Sequence, residues 1–373
     1  MNPYYETDYG KLYNGHVLDT LKQLPSDTVS CCVTSPPYWA LRDYGTDGVV
    51  WDGDADCEHE WGISKIHKTN LQAGNPEFQR PWRKNASGVS LTNFCNKCGA
   101  WKGQLGLEPD FNLYIKHLCD IFDEVKRVLR KDGTCWVNLG DTYGGNNSRG
   151  SNGGRAGFGN EREGIFSRFE SKNLCNIPSR FSIEMQNRGW ILRNKIIWHK
   201  PNCMPSSVTD RFTVDFEEIF FFVKNKKYWF EQQFEPWQDN NPNDINRAIN
   251  GHKKYNGKFK DEDKKGSFAF SESKVAGDPR KGRNKRTVWK IPTQPFPDAH
   301  FAVFPEKLVE TPIKAGCPKD GIVLDPFMGS GTVALKALKE NRRFVGIEIN
   351  PKYIDMANER IRPLLSQSKL EGF

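Results

Sequence analysis

The stretch Ile322-Val323-Leu324-Asp325-Pro326-Phe327-Met328-Gly329-Ser330-Gly331-Thr332 decides the fold. Three apolar residues run into a carboxylate, and a Gly-X-Gly turn then opens a helix-forming segment. Glycines at such a turn let a ligand approach the backbone, and the helix start offers free N–H groups. Some twenty residues on, Phe344-Val345-Gly346-Ile347-Glu348 is a second apolar strand ending in an acid, placed to accept hydrogen bonds from a ribose diol. The pair reads as a nucleoside-cofactor site. No Gly-Lys-Ser/Thr follows, so it is not a phosphate-binding Walker loop. Asp325 also sits where a pyrophosphate would need donors. A cationic, phosphate-free nucleoside such as S-adenosylmethionine suits this acidic turn.

Around that turn, strands and helices alternate. Helices are expected over 305–315, 330–340 and 351–361, with strands Gly321 to Leu324 and Arg343 to Ile349 between them. Upstream, residues 12–40 read as helix, strand (Val29 to Val33) and loop. A helix at 110–130 ends at Lys131-Asp132-Gly133, before a strand from Thr134 to Leu139. Residues 177–199 give a helix and the strand Ile191 to Trp198, and Glu217 to Val223 is another strand. This alternation predicts an α/β fold with a doubly wound, mostly parallel sheet.

Composition narrows the function. The chain has 373 residues, 37% hydrophobic and 27% charged, enough to bury a sizeable core. Its longest apolar run, Ile219 to Val223, is far too short to span a bilayer. Met1 to Glu6 lacks the basic and apolar regions of a secretory signal. Ten cysteines are too few for a disulfide scaffold in a chain this long, so a reducing, cytoplasmic setting is expected. Net charge is +8, and residues 241–290 hold 14 Lys and Arg against 6 Asp and Glu. The rest of the chain is therefore neutral. One basic segment on a neutral body suggests a polyanion partner. Residues 144–164, rich in Gly, Asn, Ser and Arg, read as a mobile loop.

A second motif, Thr34-Ser35-Pro36-Pro37-Tyr38-Trp39, follows a strand. Two prolines make a stiff turn whose nitrogens donate nothing. It can hold a planar ring bearing an exocyclic amine: Tyr38 stacks, while Ser35 and the Pro36 carbonyl accept the amine hydrogens.

Residues 51–104 differ in texture and read as an insertion. Cys57-X-His59 and Cys95-X-X-Cys98 supply four ligands in two close pairs, suited to one tetrahedral zinc ion, with His67 as the alternative to His59. All four positions would be filled by protein, so the metal would be structural.

The two motifs together resemble the beta group of S-adenosylmethionine-dependent DNA amino-methyltransferases, in which the catalytic motif precedes the cofactor motif. Asn14 to Asp19, Asn138 to Tyr143 and His300 to Pro305 resemble further elements of that family. The resemblance implies a Rossmann-like core at 1–50, 105–230 and 295–373, a zinc-binding insertion at 51–104 and a basic target-recognition region at 231–294. It assigns catalysis to Ser35, Pro36, Pro37 and Tyr38. Cofactor contacts fall on Asp325, Pro326, Phe327, Gly329, Gly331, Thr332, Glu348, Asp19, His300 and Phe304. Double-stranded DNA is the implied partner, met by Lys281, Arg283, Lys285, Arg286 and Trp39. The target base would be flipped out of the duplex, with Trp39 and loop 144–164 closing over it. Such enzymes act as monomers or homodimers, some beside a companion restriction endonuclease. Serine at the first motif position resembles cytosine-N4 enzymes, with adenine N6 as the alternative. C5-cytosine chemistry is disfavoured because the chain has no Pro-Cys dipeptide. A zinc-containing DNA-binding protein with a degenerate core is the rival reading, and intact Ser35, Tyr38, Asp325 and Glu348 argue against it.

Overall fold

The computed structural model describes residues 2–41, 43–65, 89–144, 172–236, 283–294 and 304–368. In chain order the elements are β1 (Tyr5–Thr7), β2 (Gly10–Asn14), α1 (Val17–Gln23), β3 (Val29–Thr34), β4 (Val49–Trp51), β5 (Trp61–Lys65), β6 (Val89–Cys95) and β7 (Trp101–Gly103). There follow α2 (Phe111–Val128), β8 (Leu129–Leu139), α3 (Ile177–Asn187), β9 (Ile191–His199), β10 (Phe216–Val223), β11 (Phe234–Glu235), β12 (Arg283–Asn284) and β13 (Val288–Lys290). The chain closes with α4 (Glu306–Gly316), β14 (Ile322–Asp325), α5 (Thr332–Lys339), β15 (Arg343–Glu348) and α6 (Pro351–Ser368). Among the described residues no helix is long and apolar enough to cross a membrane.

The elements fall into two compact units. The first comprises Met1–Pro36, Phe122–Gly140 and Ser182–Phe373. It holds a nine-stranded sheet in the order β1-β2-β15-β14-β3-β8-β10-β9-β13. β2, β15, β14, β3 and β8 run parallel, as do β9 and β13, whereas β1, and β10 against both its neighbours, pair antiparallel. β3 is buried along its whole length, as expected for a strand covered on both faces. Cys31 and Cys32 lie inside it with no exposed surface. Burial pushes both thiols well above their ordinary range, so they are inert core residues. The parallel strands bring Asn14, Glu348, Asp325, Thr34 and Leu139 to one edge of the sheet.

Two sequence expectations need correction. Residues 12–14, expected to begin a helix, belong to the strand Gly10–Asn14. Its five residues are too short to show a period, and their place is set by parallel pairing with β15, from Phe344↔Gly10 to Glu348↔Asn14. Residues 129–133 are likewise already strand, drawn in by the pairing Val29↔Leu129.

The second unit comprises Pro37–Ile121 and Asp141–Phe181. It holds an antiparallel four-stranded sheet in the order β4-β7-β6-β5. Apart from Val49 and Val50 of β4, these strands lie within residues 51–104, the stretch read as an insertion.

Candidate active site

Asp325 ends β14 and is buried. The Thr34 hydroxyl at the end of β3 donates to Asp325 Oδ1 at 2.6 Å, and the Phe327 N–H donates to the same oxygen at 3.1 Å. Burial pushes this carboxyl up to about 7 against the pull of both donors, and nearby Glu348 raises it further. Glu348 is half-buried at the tip of β15. Its carboxylate accepts the Gly329 and Asn350 N–H groups, each at 2.8 Å. Burial raises its pKa too. Gly331 caps α5 at φ +82°, and a Cβ there would meet the Ala357 Cβ at 2.9 Å. Gly329, at φ +51°, has no atom within 4 Å of where a Cβ would stand. One glycine is therefore needed for packing, while the other leaves backbone open to a ligand. The Arg360 guanidinium pins the turn through the Ser330 carbonyl at 2.6 Å and the Thr332 hydroxyl at 3.2 Å. Asn14 and Gly15 in turn donate to the Glu348 carbonyl, at 3.0 and 3.1 Å.

The Ser-Pro-Pro-Tyr turn follows directly on Thr34. Ser35 is half-buried and Pro36 buried in the first unit; Pro37 and Tyr38, both half-buried, open the second. Within the second unit the segment 37–40 is held by a polar network that the sequence analysis missed. The Tyr114 hydroxyl donates to the Pro37 carbonyl at 2.8 Å, the Trp39 indole to the Glu108 carbonyl at 2.9 Å, and the Ala40 N–H to the Gly106 carbonyl at 2.8 Å. The Glu108 carboxylate accepts the Gly106 N–H at 2.7 Å and meets His117 Nδ1 at 3.0 Å, while His117 Nε2 lies 3.1 Å from Asp52. His117 and Glu108 are buried. The imidazole stacks on Trp51 and Trp101 at centroid distances of 4.7 and 5.7 Å. Burial raises the Glu108 pKa against the pull of His117. Trp39 is 4% exposed, with its ring edge-on to Phe111 at 6.0 Å. The ring packs into the core of its own unit.

Cys57, His59, Cys95 and Cys98 converge, all four donor atoms lying within 4.8 Å of one another. Cys57 Sγ is 4.0 Å from Cys95 Sγ, and Cys98 Sγ is 3.4 Å from His59 Nδ1. A tetrahedral zinc with ordinary bond lengths places such donors about 3.5 to 3.8 Å apart, so the set fits one ion. The Gly99 N–H donates to the Cys95 carbonyl at 3.0 Å, closing the knuckle. At Cys95, burial would raise the pKa, but N–H groups of the knuckle and His59 bring it down to about 5, favouring the ligating thiolate.

A family model described as DNA methylase, covering N6 and N4 amino-methyltransferases, matches residues 29–359. The chain belongs to this DNA methylase family. It is 34% identical to the type II methyltransferase M.Cfr9I of Citrobacter freundii over 364 residues, covering 96% of this chain and 89% of that one. It is also 34% identical to M.SmaI of Serratia marcescens over 357 residues, covering 94% and 90%. In fold it is similar to the cytosine-N4-specific PvuII DNA methyltransferase, with a TM-score of 0.54 at 17% identity, covering 96% of this chain and 88% of that one.

The remaining expected residues of this methylase are dispersed. Phe304 lines a recess with Val33, Thr34 and Asn138. Asp19 is largely exposed on α1, and its carboxylate lies 3.5 Å from His16 Nδ1. Asp141 accepts the Ile177 N–H at 3.0 Å at the start of α3. Arg283 and Arg286 share Glu235, at 2.9 and 2.7 Å. Lys285 is half-buried, its ammonium 5.4 Å from the Trp289 ring centroid. His300, Lys281, His67 and residues 145–171 and 237–282, including most of the expected loop and recognition region, lie outside the described residues.

Proposed function

We propose that the protein transfers a methyl group from S-adenosylmethionine to the exocyclic N4 amine of a cytosine flipped out of double-stranded DNA. The observation that carries this reading is the bond from Thr34 to Asp325. It ties the strand leading into Ser35 to the acidic turn that suits a cationic nucleoside. When bound, S-adenosylmethionine supplies a methyl group on a cationic sulfur. Asp325 and the open backbone at Gly329 suit its charged end, Glu348 its ribose, and Pro326, Phe327, Gly331, Thr332, Phe304, His300 and Asp19 complete the family's contact set.

The turn's own residues act on the base. Ser35 Oγ and the Pro36 carbonyl accept the two amine hydrogens and draw the nitrogen lone pair out of conjugation, while Tyr38 stacks on the ring. With the cofactor bound, the N–C bond would form as the methyl–sulfur bond breaks, its electron pair remaining on sulfur, and one amine hydrogen would leave as a proton to water. Serine at position 35 is what favours cytosine. The network Asp52–His117–Glu108 serves as a positioning device for residues 37–40. A structural zinc held by Cys57, His59, Cys95 and Cys98 stabilises the small sheet. Arg283, Lys285 and Arg286, with Lys281, supply phosphate contacts; Glu235 offsets part of that charge.

The test is incubation of the purified protein with unmethylated bacteriophage DNA and methyl-labelled S-adenosylmethionine, followed by nucleoside mass spectrometry. N4-methylcytosine is expected. Ser35→Ala should lower turnover by about a hundredfold or more while leaving cofactor affinity within about twofold by calorimetry. N6-methyladenine as the product would overturn the base assignment. No label incorporated by the wild-type protein would overturn the activity.

A further inference from the structure

The connection between β9 and β10, residues 200–215, leaves the sheet at the edge where the catalytic strand ends. Thr34 of β3 pairs with Val137 of β8, and Leu139 of β8 pairs with Glu218 of β10. The loop therefore rises two strands from Ser35, a spacing of about 10 Å along the sheet.

The loop is tied down. The Lys200 N–H donates to the Asp215 carbonyl at 2.7 Å, closing its base, and the Cys203 N–H donates to the Lys200 carbonyl at 3.1 Å. Asn202 exchanges two hydrogen bonds with the Thr293 backbone, at 3.0 and 2.8 Å. Yet this anchored loop turns its apolar side chains outward. Phe212 is 97% exposed and Met204 71%. Most phenylalanines are buried, and outward apolar groups clustered on one anchored loop mark a contact surface. Around Phe212 the loop's charges balance, Lys200 and Arg211 against Asp210 and Asp215, while Ser206, Ser207, Thr209, Arg211 and Thr213 are types that hydrogen-bond phosphate oxygens.

Resting on the reading that the substrate is duplex DNA, we propose that Phe212 is a wedge that enters the base stack when the target base is flipped out. Flipping leaves a gap lined by two base faces. A flat apolar ring fills that gap and keeps the displaced base from returning. Phe212 is thus a positioning residue for the flipped state. It takes no part in methyl transfer or cofactor binding.

The test uses the full-length protein and a duplex built around the site that modified-base sequencing of methylated bacteriophage DNA reveals. Phe212→Ala should slow methylation of the paired duplex by about tenfold or more, with cofactor affinity and melting temperature unchanged. On the same duplex with an abasic position opposite the target, which cannot hold the base by pairing, the deficit should shrink to about twofold. Phe212→Trp, which retains a flat ring, should stay near wild type on both duplexes. Equal activity of Phe212→Ala and wild type on the paired duplex would overturn the wedge, as would an equal deficit on both duplexes. A change in oligomeric state on sedimentation of Phe212→Ala would assign the loop to contact between copies of the chain, and would also overturn it. Inactive wild-type protein would instead bring down the DNA-methylation reading itself.

Discussion

In the nine-stranded sheet, Val29 to Thr34 is buried at every position, and Phe220, Phe222 and Phe344 have at most 1% of their surface exposed. In the four-stranded sheet, β4 buries only Trp51 of its three residues, and β7 only Trp101. Both tryptophans stack on a buried histidine that lies between two carboxylates, and the same unit holds a cluster of three thiols and an imidazole. The first sheet draws its stability from apolar area removed from water, which scales with size. Strands β4 and β7 each bury one tryptophan, and their unit adds directional contacts that fail when one partner is removed. The position of each motif reflects this. The cofactor turn grows from strands that apolar packing already holds, whereas residues 37–40 take their geometry from hydrogen bonds.

The comparison can be broken most decisively at the metal. The protein should carry about one zinc per chain by elemental analysis. Cys95→Ser should abolish it, forfeiting on the order of 10 kcal/mol of apparent binding free energy. The second unit should then become protease-sensitive, while calorimetry finds cofactor affinity retained. Metal-free wild-type protein that melts normally would dissolve the contrast.

A smaller effect is expected inside the polar network. His117→Ala removes the ring that joins Glu108 to Asp52 and leaves a buried carboxylate short of a partner. Destabilisation by about 3 to 5 kcal/mol in denaturant titration is expected. A loss below about 1 kcal/mol would mean that the tryptophan stack, not the ionic contacts, carries this region.

The smallest effect sharpens the other side. A folded-state pKa of about 7 at Asp325, against an ordinary value of about 4, means that the folded protein holds this proton where the unfolded chain has lost it. The contribution to stability is present below about pH 4, falls as pH rises to about 7, and is level above that. Asp325→Asn should remove that part of the slope, so its melting temperature should gain on the wild type by about 2 °C or more between pH 5 and pH 7.5. Parallel melting curves for the two proteins would place the proton elsewhere.

Both motifs were legible in the sequence because their chemistry is local. Gly329-Ser330-Gly331 and Ser35-Pro36-Pro37-Tyr38 announce themselves by backbone constraint, and Cys95-X-X-Cys98 by ligand spacing. The core strands were legible because an unbroken apolar run needs no partner to be recognised. The burial of Trp39 was not legible, since an aromatic beside a catalytic motif looks the same whether it faces a ligand or a core. The Glu108–His117–Asp52 network left no trace in sequence, because its members are 9 and 65 residues apart and none belongs to a motif.

Motif order, the alternation of strands and helices, and the residue types suited to a base, a nucleoside or a metal can all be read along the chain. Periodicity, turn chemistry and ligand type are properties of short segments. Folding alone brings Thr34 and Asp325, 291 residues apart, into a shared hydrogen bond. It alone placed residues 10–14 alongside β15 and set an exposed Phe212 on the edge that carries Ser35. Those outcomes depend on strand order and register, which are settled by the simultaneous burial of many distant apolar side chains, a condition that no short stretch of sequence contains.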